Sequence, residues 1–368
     1  MVLNRRDMLL CAAATALPYA ALAASLETLG MKLTEDHLAA GRGLLKANPS
    51  VDVHSHPGHF FMAGTDTPLA RTYGAPFADR AIGQMAEGGV SAVLFAAVAD
   101  HLLLEQAPTG LKAGRDYRPG EAMADYQRQL GLLRGIGRRM APGLAARDIA
   151  AAHAKGRTAC IFAVEGGDFI EDRLDRIAAA YAAGVRSVTI IHYYTNQIGD
   201  PQTNPPVHGG LTPLGKAVIK EMNRVGVLID LSHASLDATR QAVEASTQPM
   251  IISHSNLRTP GLDHPRLISL EHARLVTQAG GLVGALPAGA GQTSFASYID
   301  TLLHTVDALG VDHVAIGTDM DFTFKASVAD YADWPLIPAA LLARGMHANE
   351  VAKVMGGNFV RLFAAVRP

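Results

Sequence analysis

The stretch VDVHSHPG, positions 51–58, sets two histidines one residue apart at the end of an apolar, β-branched run. On a strand, side chains at i and i+2 share a face, so His54 and His56 aim their imidazoles the same way and Ser55 points opposite. Two nitrogens converging from a stiff strand end suit a metal ion. Alone, the pair fits a solvated loop better than a site, and ligands arriving from elsewhere in the chain decide between the two. Such residues recur at the ends of other apolar runs: Glu165 after TACIFAV, His192 after VRSVTII, His233 after VGVLIDLS, His254 after PMIIS, and Asp319 after HVAIGT, with Asp321 just beyond.

Five imidazoles and two carboxylates gathered on one rim would be costly to bury without partners. Neutral imidazole and carboxylate are ligands for zinc and its neighbours, so metal resolves that cost. The number of ligands suggests two divalent ions, with zinc the expected one: His54, His56 and Glu165 for the first, and Glu165, His233 and His254 for the second. Glu165 then bridges. A water held between two such ions is acidified and yields hydroxide near neutral pH, which points to hydrolysis. Asp319 is placed to take a proton from the attacking hydroxide and hand it to the leaving group. His192, not needed as a ligand, is free to donate a hydrogen bond to a developing oxyanion.

These residues need a scaffold that brings distant strand ends to one place. Eight runs read as strands: 51–56, 90–99, 158–166, 185–192, 225–233, 249–254, 280–287 and 313–319. Between them lie Ala-, Leu- and Arg-rich helical stretches; LGKAVIKEMNRVG, 214–226, puts Val218, Met222 and Val225 on one face. Strands alternating with helices in this number predict a (β/α)8 barrel of the TIM type, with the site at the C-terminal strand ends. An open doubly wound sheet is the alternative, and the long 99–157 segment must hold a helix plus excursions.

The chain has 368 residues, 49% hydrophobic and 18% charged, with a formal net charge of -2, an ordinary globular balance with no long basic run and no support for nucleic-acid binding. The N-terminus differs. Arg5 and Arg6 precede a short apolar stretch and Ala-Leu-Ala near position 23, the layout of a secretory signal, and the adjacent arginines resemble a twin-arginine export signal. Residues 1–23 are therefore expected to be removed on export to a bacterial periplasm, leaving 24–368 as one hydrolase domain. The apolar stretch is interrupted at Pro18 and short for a span, so no stable membrane anchor is expected. Without the signal only Cys160 remains, and no internal disulfide can form.

The stretches DVHSHPG, AVEGG, GVRSVTIIH, GLTPLGKAVIKEMNRVGVLIDLSHAS, PMIISHSNLR, DHPR, HVAIGTDMDF and VMGGNFVRLF together resemble the membrane (renal) dipeptidase family, a branch of the metal-dependent amidohydrolases, from about Val51 to Phe363. The resemblance implies a metallo-dipeptidase in which His54 and Glu165 hold the first metal and Glu165, His233 and His254 the second. It further implies that His192 contacts substrate, Asp319 is catalytic, and Arg266 of DHPR pairs with the substrate carboxylate, a task suited to its planar fork. Many members carry His-x-Asp on the first strand, where this chain has His56. The segments HYYTNQIGDP and DMDFTF also depart from the usual patterns.

The expected reaction is hydrolysis of dipeptides, including those with a C-terminal D-residue. The alternatives are another amidohydrolase acting on N-acyl amino acids or cyclic amides, and a non-catalytic metal- or peptide-binding protein, which the presence of Asp319 and Glu165 disfavours. The family's tendency to dimerise allows a homodimer. His59 and His208 lie close enough to strand-end loops to touch substrate but read better as solvated loop residues, and Tyr193, Tyr194 and Trp334 fit a pocket wall or packing equally well.

Overall fold

The computed structural model describes residues 30–366 except 109, 261–262, 290–291, 293 and 323–325, so the export signal expected at 1–23 lies outside the described residues. Eight parallel strands run in chain order around a closed sheet. They are β1 (Val51–Ser55), β2 (Ala92–Val98), β3 (Ala159–Glu165), β4 (Val185–Thr189), β5 (Leu228–Asp230), β6 (Ile251–Ser255), β7 (Leu282–Ala285) and β8 (Val314–Ile316). Closure comes from β1, which pairs with β2 on one side and, through Asp52 opposite Ile316, with β8 on the other. The sheet is thus a TIM-type barrel, and the open-sheet alternative falls.

Apolar side chains explain the closure. Val53, Leu94, Ile161, Leu228, Ile251, Leu282 and Ala315, one from each of seven strands, form a single buried cluster that only a barrel interior can assemble. Their strand neighbours, such as Val93, Phe95, Val188, Ile229, Ile252 and Val283, pack outward in a second cluster under the helices. The helix predicted at 214–226 spans Pro213–Val225. Thr212 caps it by accepting from the Gly215 amide, Pro213 fills the first turn, and Gly226 ends it in the left-handed conformation. No helix among the described residues is long and apolar enough to cross a membrane.

The segment after β2 holds more than one helix. An antiparallel hairpin (Leu104–Ala107 with Gly110–Ala113) rises beside the strand ends. It is followed by helix Glu121–Gly137, a two-residue strand Ala141–Pro142 against β3, and helix Ala146–His153.

Three strand ends are shorter than the sequence suggests. The last regular residues are Thr189, Asp230 and Ile316, so His192, His233 and Asp319 each sit three residues beyond their strands. The backbone gives the reason for two of them: His233 has φ 65° and Asp319 φ 50°, left-handed conformations that no strand can contain.

Register irregularities re-aim other side chains. The β1–β2 pairing shifts between Asp52 and Ser55, and the β6–β7 pairing shifts between Val283 and Ala285. Strict alternation would turn His54 away from the face of Val53, and His254 away from that of Ile251. The two irregularities let all four contribute to the interior, the use to which bulges beside functional sites are commonly put. Close backbone approach makes this possible: a Cβ on Gly284 or Gly317 would collide with the Ser253 carbonyl oxygen. Gly284→Ala is therefore expected to cost about 2–3 kcal/mol through overpacking, read as a lowered urea midpoint at unchanged slope. An unaltered midpoint would refute this account of β6.

Candidate metal centre

Glu165 ends β3 with its side chain 1% exposed, and both carboxylate oxygens are buried without a hydrogen-bond partner. Five imidazoles surround it. On Oε1 converge the Nε2 atoms of His54 (3.4 Å), His233 (3.1 Å) and His254 (3.4 Å); on Oε2, those of His56 (3.2 Å) and His192 (3.4 Å). The rings also face one another: Nε2 to Nε2 is 3.2 Å for His54 and His56, and 3.0 Å for His233 and His254. The Asp319 carboxylate closes the rim 3.1 Å from His56 Nε2.

The other ring nitrogens show which atoms are left for a ligand. His56 Nδ1 lies 2.7 Å from the Ala96 carbonyl oxygen and donates to it, which turns Nε2 toward Glu165. The Ser253 hydroxyl donates to Asp230 at 2.6 Å, so its lone pair is free to accept from His254 Nδ1 at 3.0 Å. His192 Nδ1 is 2.6 Å from Asp100, whose other oxygen accepts the backbone amides of Tyr193 and Tyr194. Asp100 was missed in the sequence. It directly follows the long apolar run of β2, so the strand-end rule that found the other residues would have found it too.

Electrostatics agree with this division. Burial alone would push the Glu165 carboxyl up, but the charges of His192 and His54 and the contact with His233 hold it well below the usual carboxylate range. Burial, reinforced by the charge of Arg266, drives His233 well down, and burial with the charge of His54 does the same to His254. His56 goes the other way. Burial opposes its charge, yet Asp319 and Glu165 raise its pKa to about 10.

An anionic carboxylate without hydrogen-bond partners inside a ring of imidazole nitrogens is a donor set suited to a divalent cation. Three ligand groupings occur among the described residues: His54–His56–Glu165, His54–Asp230–His254 and Glu165–His192–His233. The residues present therefore fit divalent metal.

A cavity of about 370 Å³ opens above the cluster, lined by Glu165, His192, His233 and Asp319 on its floor. Arg266 lines it too, with Nη2 3.4 Å from the His254 carbonyl oxygen and a buried Nη1 without a hydrogen-bond partner. The structure thus brings together His54, His56, Glu165, His192, His233, His254, Arg266 and Asp319. Other expectations change. His59 is buried, its ring against Tyr73 and Phe77, and burial lowers its pKa to about 4. Its left-handed φ of 52° lets it turn inward. His208 is exposed, Tyr193 lines the cavity, and Trp334 is buried away from it, donating to Ser50.

If the cluster holds metal, adding zinc to metal-stripped protein at a thousandfold excess over Kd stabilises the fold by about 4 kcal/mol, several degrees in Tm. Glu165→Gln is expected to abolish most of that shift. An equal shift in both proteins would place the zinc elsewhere.

The likeness to known proteins follows the same residues. A family model for membrane dipeptidases (peptidase family M19) matches residues 40–368. A dipeptidase of Clonostachys rogersoniana is 31% identical over 218 residues, 57% of this chain and 56% of that one. Dipeptidase 3 of Homo sapiens is 30% identical over 222 residues, 57% of this chain and 45% of that one. These matches span roughly half the length of the curated relatives. Two solved structures share the fold. A metallopeptidase from Rhodobacter sphaeroides, liganded with a phosphinate mimic of L-Ala-D-Ala, has TM-score 0.74 at 22% identity, covering 87% of this chain and 99% of that one. A probable dipeptidase from Pseudomonas aeruginosa has TM-score 0.72 at 20% identity, covering 90% and 98%. With the barrel, the buried glutamate and the match along residues 40–368 in agreement, the chain belongs to the membrane dipeptidase family.

Proposed function

We propose that the chain is a metal-dependent dipeptidase that hydrolyses the single peptide bond of dipeptides, those with a C-terminal D-residue included. The observation that carries this reading is one cavity that holds both a metal-type cluster and, at its side, an arginine with an unpartnered N–H. A planar guanidinium with spare donors suits a carboxylate, and a carboxylate next to the scissile bond is what distinguishes a dipeptide from a longer peptide. A fixed anchor this close to the cluster leaves room for one residue on that side.

In this reading His54, His56 and Glu165 hold one divalent ion and Glu165, His233 and His254 a second, zinc in both. When bound, the ions supply Lewis acidity and an acidified water near neutral pH. The protein supplies the rest. Arg266 fixes the carboxylate and so the position of the scissile carbonyl. Asp319 receives the proton of the attacking water and delivers it to the leaving amine. His192 donates from Nε2 to the oxygen that becomes negative. Asp100 supports that role: it accepts a hydrogen bond from Nδ1–H and, with Glu165, raises the His192 pKa against the effect of burial, which favours the doubly protonated ring that donation from Nε2 requires.

The rival reading, an amidohydrolase for N-acyl amino acids, uses the same Arg266 anchor, and substrates separate the two. Zinc-loaded protein is expected to release free amino acids from a panel of L-L and L-D dipeptides. Turnover confined to N-acyl amino acids would replace the proposal with its rival. Asp100→Asn is expected to lower kcat by about 10²-fold or more with metal content and KM nearly unchanged. A fall in bound metal instead would make Asp100 a structural support of the cluster. The N-terminal layout supports export to a periplasm, and N-terminal sequencing of secreted protein tests it: cleavage near residue 23 is expected, and an intact Met1 refutes it.

A further inference from the structure

The site has two chemically different ends. His54 lies at its centre, stacked on His254 at 4.0 Å and edge-on to His56 at 4.9 Å. Beyond His254 comes Arg266. Beyond His56 comes an aromatic wall, with Phe322 at 5.5 Å from the His56 ring and Tyr73 at 5.2 Å from Phe322. The hairpin after β2, whose first strand packs on helix Pro68–Tyr73, lines the cavity with Leu111, Ala107 and the uncharged Gln106. Among the described lining residues the carboxylates are Glu165 and Asp319, both turned to histidines of the cluster, and the hairpin and aromatic wall contribute no charge to the cavity.

On the dipeptidase reading, a substrate held at Arg266 by its carboxylate places its scissile carbonyl over Glu165 and His192. Its N-terminal residue then runs past His56. We infer that Tyr73, Phe322 and Leu111 form an apolar subsite that selects dipeptides whose N-terminal side chain is aliphatic or aromatic. A charged side chain there loses water against rings and aliphatic carbon, while an apolar one gains contact with buried Phe322 and half-buried Tyr73 and Leu111. The selectivity comes from elements that carry none of the chemistry: helix Pro68–Tyr73, the residue after Asp321, and the hairpin.

The test is a series X-Ala with the C-terminal residue fixed and X as Leu, Phe, Gly, Glu or Lys, run on zinc-loaded wild type and Leu111→Lys. The hairpin position is half-buried and outside the cluster, so Tm and metal content are expected to match wild type. In wild type, kcat/KM for Leu and Phe is expected to exceed that for Glu and Lys by roughly 10- to 100-fold. Leu111→Lys is expected to narrow the gap for Glu and widen it for Lys. Equal rates across X in wild type would overturn the subsite while leaving the dipeptidase reading standing. A preference that Leu111→Lys does not move would remove Leu111 from it. Hydrolysis of no X-Ala at all, by protein shown to hold zinc, would overturn the dipeptidase reading and this inference with it.

Discussion

A carboxylate with no hydrogen-bond donor at either oxygen, sealed at the end of a barrel strand, is the constraint around which this molecule is arranged. An isolated buried charge is among the most expensive things a protein can contain. Glu165 is tolerated because four strands or strand ends, those of β1, β4, β5 and β6, bring five imidazoles to within 3.4 Å of it. No single helix or hairpin can supply donors from so many directions. A closed barrel can, because every strand ends on the same rim.

Those imidazoles must be held as firmly as they are gathered, and the support is a layer of buried polar groups beneath them. Asp230, at the end of β5, accepts from the Thr189 and Ser253 hydroxyls and from the Ser232 and Ser253 amides, which ties β4, β5 and β6 together below His254. Asp52 does the same on the other side. It accepts from Thr318 and Tyr331 and joins β1 to the turn that carries Asp319. Asp319 in turn donates its amide to the His54 carbonyl. Of the five non-glycine residues with positive φ among the described residues, His233 and Asp319 belong to the cluster, and His59 and Asp321 flank the histidine and aspartate turns. Strain of this kind persists only where surrounding bonds over-determine the backbone.

This division explains what could be read from the chain. The barrel was legible because eight apolar β-branched runs alternate with capped, amphipathic helices. The cluster was legible because a polar residue closing an apolar run needs a reason. The aim of individual side chains was not. The i, i+2 rule put His54 and His56 on one face, which is how they stand, but it could not show that β1 slips register against β2 so that His54 joins the side occupied by Val53. On β6 the matching irregularity goes with contacts distant in sequence, between Gly284 and Gly317 and the backbone of Ser253. The 99–157 segment was opaque for a related reason. Its hairpin packs on the loops around the site rather than on a periodic core, so half-buried and exposed residues alternate without a long apolar signal.

His56 shows how local structure and chemistry are coupled. Many members of the family carry aspartate at this position, and a carboxylate there would bring a second negative charge to the first ligand set. An imidazole brings no negative charge, so Glu165 is the one carboxylate in the grouping with His54 and His56. What histidine gains is a donor: its Nδ1–H satisfies the Ala96 carbonyl inside the barrel, a group that aspartate, which only accepts, would leave unserved. That bond fixes the ring, and the fixed ring holds Asp319 at 3.1 Å. The position of Asp319, in the turn after β8, therefore depends on a hydrogen bond to β2. Replacing His56 by aspartate would disturb both the charge of the centre and the seat of Asp319, so it is not a simple return to the commoner ligand.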